Sequence, residues 1–298
     1  MMTAPTQYPH IYARSIANPD DFWLDAAEGI EWYRAPDAAS RTYGETTRWF
    51  PGGELNTSFN ALDRHVLAGR GEQPAVIYDS AMTGTKAQLT YRELRDRVAL
   101  FAGVLRDNGV GKGDRVVIYL PMIPEAIIAM LACARLGAIH SVVFGGFAAN
   151  ELAVRIDDAS PKAVVTASGG LEPGRVVEYL PLVKRALEAS GGSVATVIVK
   201  RRDSIPGSAR DYDGAGGATW LDWADAEAAA LPADPVSVAA DDPLYILYTS
   251  GTTGNPKGIV RDNGGHAVAL TWSMKNIYNV GPGDVYWAAS DVGWVMGH

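Results

Sequence analysis

The 298-residue chain is 47% hydrophobic and 20% charged, an ordinary globular composition with enough apolar material for a sizeable core and a length that suggests about two domains. Its formal net charge of −8 opposes a polyanionic partner, which argues against nucleic acid and leaves any nucleotide to be gripped by local donors. The one cysteine, Cys133, excludes an intramolecular disulfide, and its place in an apolar run from Ala126 reads as packed helix, not nucleophile.

The first segment opens with Asn18 as N-cap, Pro19 at the first helical position and Asp20 and Asp21 in the first turn, so a short amphipathic helix is predicted with Phe22, Trp23, Ala26, Ala27 and Ile30 inward. Residues 1–16 contain no apolar run of signal-peptide length and few arginines, so a cytoplasmic protein is expected. The aromatic stretch through Trp32, Tyr33, Tyr43, Trp49 and Phe50 lacks periodicity and reads as a packed extended arm. Residues 1–65 are taken as this N-terminal helical and extended arm, and 66–298 as a second domain.

From Ala75 the chain alternates. A strand is predicted over 75–78, and Thr90 with Glu93 forms a capping box that opens a helix with Leu94, Val98, Phe101, Ala102 and Leu105 inward. Strands follow at 115–120, 139–144, 163–166 and 196–199, with helices at 124–136, 149–157 and 176–189 between them. Near-continuously apolar strands alternating with helices predict an α/β fold, a largely parallel sheet covered on both faces. The apolar region 118–144 is broken by Pro121, Pro124, Glu125 and Arg135, so no membrane span is expected there. Residues 201–217 read as a surface loop and 224–231 as a short helix.

The most informative stretch is Tyr248-Thr249-Ser250-Gly251-Thr252-Thr253-Gly254-Asn255-Pro256-Lys257-Gly258. An apolar strand, 244–247, feeds it, and a helix is predicted over 266–278. Its glycines let backbone N–H groups turn toward an anion, its hydroxyls are uncharged donors, and Lys257 adds one mobile cation. It is not a Walker A loop, because Gly258 stands where a hydroxyl should follow the lysine. Beyond a strand predicted at 284–289, the chain runs through Trp294, Val295 and Met296 to His298. Asp291 reads as a turn cap, and the five histidines show no metal-ligand spacing, so no metal site is assigned to the protein itself.

With Arg261-Asp262-Asn263-Gly264-Gly265-His266 just downstream, this stretch resembles the signature loop of the acyl-adenylate-forming ligases, and is most similar to that of the short-chain acyl-CoA synthetases. The resemblance runs from Ala13-Arg14-Ser15-Ile16 to His298, nearest the propionyl- and acetyl-CoA synthetases. It implies that a carboxylate attacks the α-phosphate of MgATP to give acyl-AMP, and that the CoA thiol then displaces AMP. Neither step needs an enzyme nucleophile, so no catalytic nucleophile is assigned.

The same resemblance implies an ATP-phosphate site of Thr249, Ser250, Gly251, Thr252, Thr253, Gly254 and Lys257, with Mg²⁺ carried on ATP. It implies CoA contacts at Phe144, Gly145, Gly146 and Arg175, and an acyl pocket or thiol tunnel at Trp294, Val295 and Met296. On the residues alone, Phe144 to Phe147 is equally a strand-end turn, and Trp294 to Met296 plain core packing. Glu172 stands where relatives carry the first of two arginines. The expected substrates are ATP, CoA and a short-chain carboxylate, with propionate preferred and acetate accepted. Family members are roughly twice as long, so a truncated AMP-binding domain without its C-terminal domain is expected, and an inactive isolated fragment. A non-catalytic nucleotide-binding fragment and another acyl-adenylate-forming ligase are the alternatives.

Overall fold

The computed structural model describes residues 8–249 and 256–298. The chain begins with α1 (Tyr8–Ala17) and α2 (Pro19–Ala27), then β1 (Ser40–Tyr43), β2 (Thr46–Trp49) and β3 (Glu54–Leu55). A second antiparallel hairpin, β4 (Pro74–Ser80) and β5 (Thr85–Thr90), leads into α3 (Tyr91–Asp107). There follow β6 (Arg115–Tyr119), α4 (Pro124–Leu136), β7 (Ile139–Val142), α5 (Ala149–Ala159) and β8 (Ala163–Ala167). Next come β9 (Gly169–Glu172), β10 (Arg175–Glu178), α6 (Tyr179–Ala189), β11 (Thr196–Lys200), β12 (Thr219–Asp222) and α7 (Trp223–Ala229). The last elements are β13 (Val238–Ala239), β14 (Pro243–Thr249), β15 (Lys257–Asp262) and α8 (Asn263–Asn276).

Two compact units result. The first comprises Met1–Leu55, Ser237–Asp242 and Asp262–Asp284. Its core gathers Ala27, Ile30, Phe50, Leu55, Val238 and Val268, and Trp23 meets both Trp49 and Trp272 edge-on. The Asn18 side chain accepts from the Asp21 N–H, so α2 starts where its cap residues place it. The expected extended arm holds more structure than periodicity revealed: α1, the β1–β2 hairpin and the short β3–β13 pair all lie in this unit.

The second unit comprises Asn56–Val236, Pro243–Arg261 and Val285–His298. Its centre is a seven-stranded sheet of order β12-β11-β8-β6-β7-β14-β15. The pairings of β12 with β11, β11 with β8, β8 with β6, β6 with β7 and β7 with β14 are all parallel. Side chains alternate across it as strand geometry demands. Val116 and Ile118 of β6 face a core with Leu94, Phe101, Leu105, Ile128 and Trp223, while Val117 and Tyr119 face another with Leu152, Ile156, Val183, Leu187 and Trp220. This is the largely parallel α/β arrangement that the apolar strands predict, and the Thr90–Glu93 capping box is present with both reciprocal hydrogen bonds.

Three expectations need correction. The helix expected over 176–189 begins only at Tyr179, because Val176 and Val177 pair with Leu171 and Gly170 across a turn at Pro173-Gly174; β-branched residues beside such a turn favour a hairpin. No strand occurs over 284–289, where Val285 and Trp287 are exposed and no described strand pairs with them. Lys257 and Gly258, expected at the exit of the loop, open the strand β15. The β1–β2 and β9–β10 hairpins, strand β5 and the edge strand β12 also lie outside what the sequence predicted. No helix among the described residues is long and apolar enough to cross a membrane. Cys133 is fully buried, and burial pushes its thiol well above the usual range, in keeping with the packing role expected of it.

Arg135 closes α4 as a buried charge. Its Nη1 and Nη2 donate to the two carboxylate oxygens of Asp63 at 2.7 and 3.1 Å, and its Nε donates to the Ala233 carbonyl at 2.7 Å. The two side chains are only 5% and 13% exposed. Asp63→Ala removes one partner and leaves a buried guanidinium uncompensated, so unfolding free energy should fall by about 3–5 kcal/mol. Urea denaturation reads this; a loss below about 1 kcal/mol, the range of exposed pairs, would show that solvent reaches the site.

Candidate active site

Parallel pairing decides where the candidate residues meet. After β6 the chain forms its neighbour β7 and then crosses back past β6 to build β8, so the direction of winding reverses here. Open parallel sheets bind ligands outside the carboxyl ends of strands at such a reversal. The crossing begins at Phe144-Gly145-Gly146-Phe147, directly after β7. Because β14 runs parallel to β7, its last residue, Thr249, emerges at the same edge, and the β9–β10 hairpin leaves that edge from β8.

β14 delivers the hydroxyl-rich stretch. Leu244, Tyr245, Leu247 and Tyr248 are buried, whereas Thr249 is exposed at the strand's end. Ser250, Gly251, Thr252, Thr253 and Gly254 lie outside the described residues. Lys257 is exposed at the first position of β15. The residue after it has a packing reason to be glycine: a methyl group on Gly258 would come within 2.9 Å of the Ile246 side chain and 3.2 Å of the Tyr248 ring. The Pro-Lys-Gly exit therefore lays β15 closely against β14.

Tyr248 is held at both ends. Its hydroxyl donates to the Asp158 carboxylate at 2.6 Å, and the Arg155 guanidinium lies 5.5 Å from its ring centroid. Burial, then the Asp158 contact, pushes the phenol well above its ordinary range, so it stays a donor.

The glycine turn is packed at Gly145 and exposed at Gly146. Gly145 is buried, and a methyl group there would overlap the Tyr179 hydroxyl and sit 3.0 Å from Cζ. Tyr179 packs on Tyr119, whose hydroxyl donates to the Phe147 carbonyl at 2.7 Å. Phe144 and Phe147 meet edge-on, and Trp294 packs against both, with ring centroids 6.0 and 6.2 Å away. The structure thus brings the turn and Trp294 together. Val295 and Met296 are exposed at 66% and 75% and are not drawn into that cluster by any contact described.

Arg175 lies on the β9–β10 hairpin, where it pairs with Glu172 at 2.6 Å while remaining largely exposed. Asp291 accepts from the Gly293 N–H at 2.7 Å, the turn cap expected of it, and burial raises its carboxyl. His298 stacks on His140 with a 2.9 Å contact between their Nε2 atoms, and burial lowers its imidazole.

Sequence reading passed over Arg155, Asp158, Tyr119 and Tyr179. For Arg155 a signal was available. It falls on the same helical face as Leu152 and Ile156, and a charge on an inward face is rare without a partner.

Taken together, the reversed parallel sheet and the segments at its carboxyl edge define an α/β ligand-binding domain. A family model described as AMP-binding enzyme matches residues 63–298, and one described as acetyl-coenzyme A synthetase N-terminus matches residues 8–61. The chain belongs to the AMP-binding enzyme family. It is 58% identical over 292 residues to an uncharacterized Pseudomonas aeruginosa protein, covering 98% of this chain and 46% of that one. It is 51% identical over 296 residues to a Bos taurus protein named acyl-CoA synthetase short-chain family member 3, mitochondrial, covering 98% and 42%. A solved acetoacetyl-CoA synthetase from Streptomyces lividans superposes with a TM-score of 0.85 at 30% identity, covering 99% of this chain and 44% of that one. The chain thus spans less than half the length of the relatives it matches.

Packing against Tyr179 makes Gly145 testable. Gly145→Ala should cost about 1–3 kcal/mol of stability, the range for overpacking. In a Tyr179→Phe background the hydroxyl that the methyl meets is gone, so the cost should be smaller. Equal costs in both backgrounds, measured by chemical denaturation, would place the obstruction elsewhere.

Proposed function

We propose that the protein carrying this chain joins a short-chain carboxylic acid to coenzyme A, driven by cleavage of MgATP to AMP and pyrophosphate, through an acyl-adenylate. The observation that supports it most is the sequence Tyr248 to Gly258, whose described start, Thr249, ends β14 at the carboxyl edge of a parallel sheet, in a chain that matches both the AMP-binding and the acetyl-coenzyme A synthetase N-terminal families.

In this reading Thr249, Ser250, Gly251, Thr252, Thr253, Gly254 and Lys257 hold the nucleotide phosphates, with Mg²⁺ arriving on ATP as part of the substrate. Adenylation is an in-line displacement at phosphorus. What it asks of the protein is orientation of two anions and neutralisation of departing pyrophosphate, the work of donors and one cation. Lys257 supplies a mobile ammonium for that purpose.

The CoA nucleotide is proposed to lie along Phe144, Gly145 and Gly146, with Arg175 at its phosphate. Glu172 shares the Arg175 guanidinium, so an incoming phosphate would compete with a carboxylate already there. Trp294, Val295 and Met296 are proposed for the acyl side. Trp294 touches the two phenylalanines of the turn, an arrangement that suits a thiol approaching beside the acyl group. The proposed domain organisation sets residues 1–65 as an arm before the AMP-binding part.

The preferred acid is proposed to be propionate. Residues 245–250 and the block 260–270 resemble propionyl-CoA synthetases more than acetate-specific ones, and Met296 is a flexible apolar residue able to adapt to either acid. One methylene in an apolar pocket is worth about 1–3 kcal/mol, or roughly 10- to 200-fold. The ratio of kcat/KM for propionate over acetate, measured in the full-length protein, should therefore lie above one and within that range, with acetate still reacting. A clear preference for acetate would defeat the propionate assignment, and a longer or aromatic acid reacting best would reject the short-chain class.

A further inference from the structure

Asp291 is an acidic group at the candidate site to which the reading above gives no task. It is half-buried, and the hydrogen bond described for its carboxylate is the one that Oδ1 accepts from the Gly293 N–H. No described lysine or arginine pairs with it. A turn cap needs a single acceptor, which asparagine supplies without a charge. Withdrawing a carboxylate from water beside one neutral donor has a cost, and burial accordingly raises the Asp291 carboxyl against the opposing pull of that N–H. A half-buried carboxylate without a cation, at the carboxyl edge of a parallel sheet, calls for more than a turn.

Its neighbours say where it stands. The Asp291 carbonyl accepts from the Trp294 N–H at 3.0 Å, so the turn it opens carries Trp294 against Phe144 and Phe147. Val292 is buried, its N–H donates to the Met122 Sδ at 3.4 Å, and its carbonyl lies 2.9 Å from the His298 Nδ1, which fixes the segment from two sides. A methyl group on Gly293 would sit 3.0 Å from the Asp291 Oδ1 and 3.0 Å from the Phe144 backbone nitrogen, so one backbone position touches both the carboxylate and the start of the glycine turn. Tyr179, which packs on Gly145, senses the same charge: burial, then the Asp291 carboxylate, raises its phenol.

We propose that Asp291 is the general base of the thiol step, its carboxylate taking the proton of the CoA thiol as the sulfur attacks the acyl carbon. The inference rests on the ligase reading, which brings CoA along the glycine turn and the acyl group beside Trp294; Asp291 lies where the two meet. The S–H bond breaks as the S–C bond forms, the bond from the acyl carbon to the bridging oxygen breaks, and AMP departs with that electron pair. The proton then passes from Asp291 to water. A thiol is a weak nucleophile until its proton is gone, and Asp291→Asn leaves the turn's acceptor in place while removing the base.

The test separates the two steps in full-length protein. In Asp291→Asn, propionate-dependent exchange of labelled pyrophosphate into ATP should run near the wild-type rate, as should capture of the acyl-adenylate by hydroxylamine, a neutral nucleophile with a free electron pair. Single-turnover thioester formation from preformed adenylate and saturating CoA should slow by about 10²- to 10⁴-fold, with KM for CoA little changed. Asp291→Glu, which retains a carboxylate, should recover part of that loss. In the wild type the thiol step should also run slower in heavy water, because the proton moves as the sulfur attacks; this reading needs no variant to fold.

Thiol transfer at the wild-type rate in Asp291→Asn would overturn the inference. So would an equal loss in all three measurements, the mark of a structural role, or a heavy-water effect that is absent or inverse, the mark of a thiolate formed beforehand. A wild type that exchanges no pyrophosphate would instead overturn the ligase reading, and the inference with it.

Discussion

Parallel strand pairing fixes where everything else can be. β6, β7, β8, β11 and β14 point the same way, so the segments that follow them emerge at one edge of the sheet. Residues far apart in sequence, Phe144 and Thr249 among them, are therefore neighbours by topology before any side chain contributes. Helices on both faces bury the strands and leave that edge as the place where irregular, polar backbone can be exposed. The two cores on either side of β6 are what make the arrangement rigid enough to hold loops in register.

Within this frame, specific contacts set the shape of the edge. The close approach of Gly145 to Tyr179, and of Gly258 to Ile246 and Tyr248, shows two glycines chosen by packing in segments where sequence alone suggests only flexibility for an anion. Those readings are compatible. A backbone that lies close against its neighbour is also a backbone held still, and a preorganised set of N–H groups loses less entropy on binding than a mobile one. The aromatic cluster of Phe144, Phe147 and Trp294 extends the same edge and joins the turn to the last described residues.

Much of this was legible in the sequence because local signals and burial agreed. The apolar runs that became β6, β8, β11 and β14 are buried on both faces, and the caps at Asn18 and Thr90 act where their side chains place them. What escaped was decided by partners distant in the chain. Strand β15 looks like loop because Lys257 and Gly258 are poor strand formers, and it forms beside β14. The run 284–289 looks like a strand, yet it has no described neighbour to pair with. Val176 and Val177 fit a helical pattern until the turn at Pro173-Gly174 folds them onto β9. At the candidate site, the glycine turn and Trp294 were proposed from the resemblance, and the structure packs them together; Arg155 was passed over because its two ring contacts exist only once the chain folds.

The account's central claim is that the acid is activated as an acyl-adenylate. Propionate labelled with heavy oxygen in its carboxylate distinguishes this directly in the full-length protein. Attack on the α-phosphate makes a carboxylate oxygen the bridge to AMP, and thiolysis at the acyl carbon leaves that oxygen behind. The account predicts one labelled oxygen in the AMP released with propionyl-CoA; label appearing in orthophosphate, with unlabelled ADP as the nucleotide product, would mean an acyl phosphate and would contradict it.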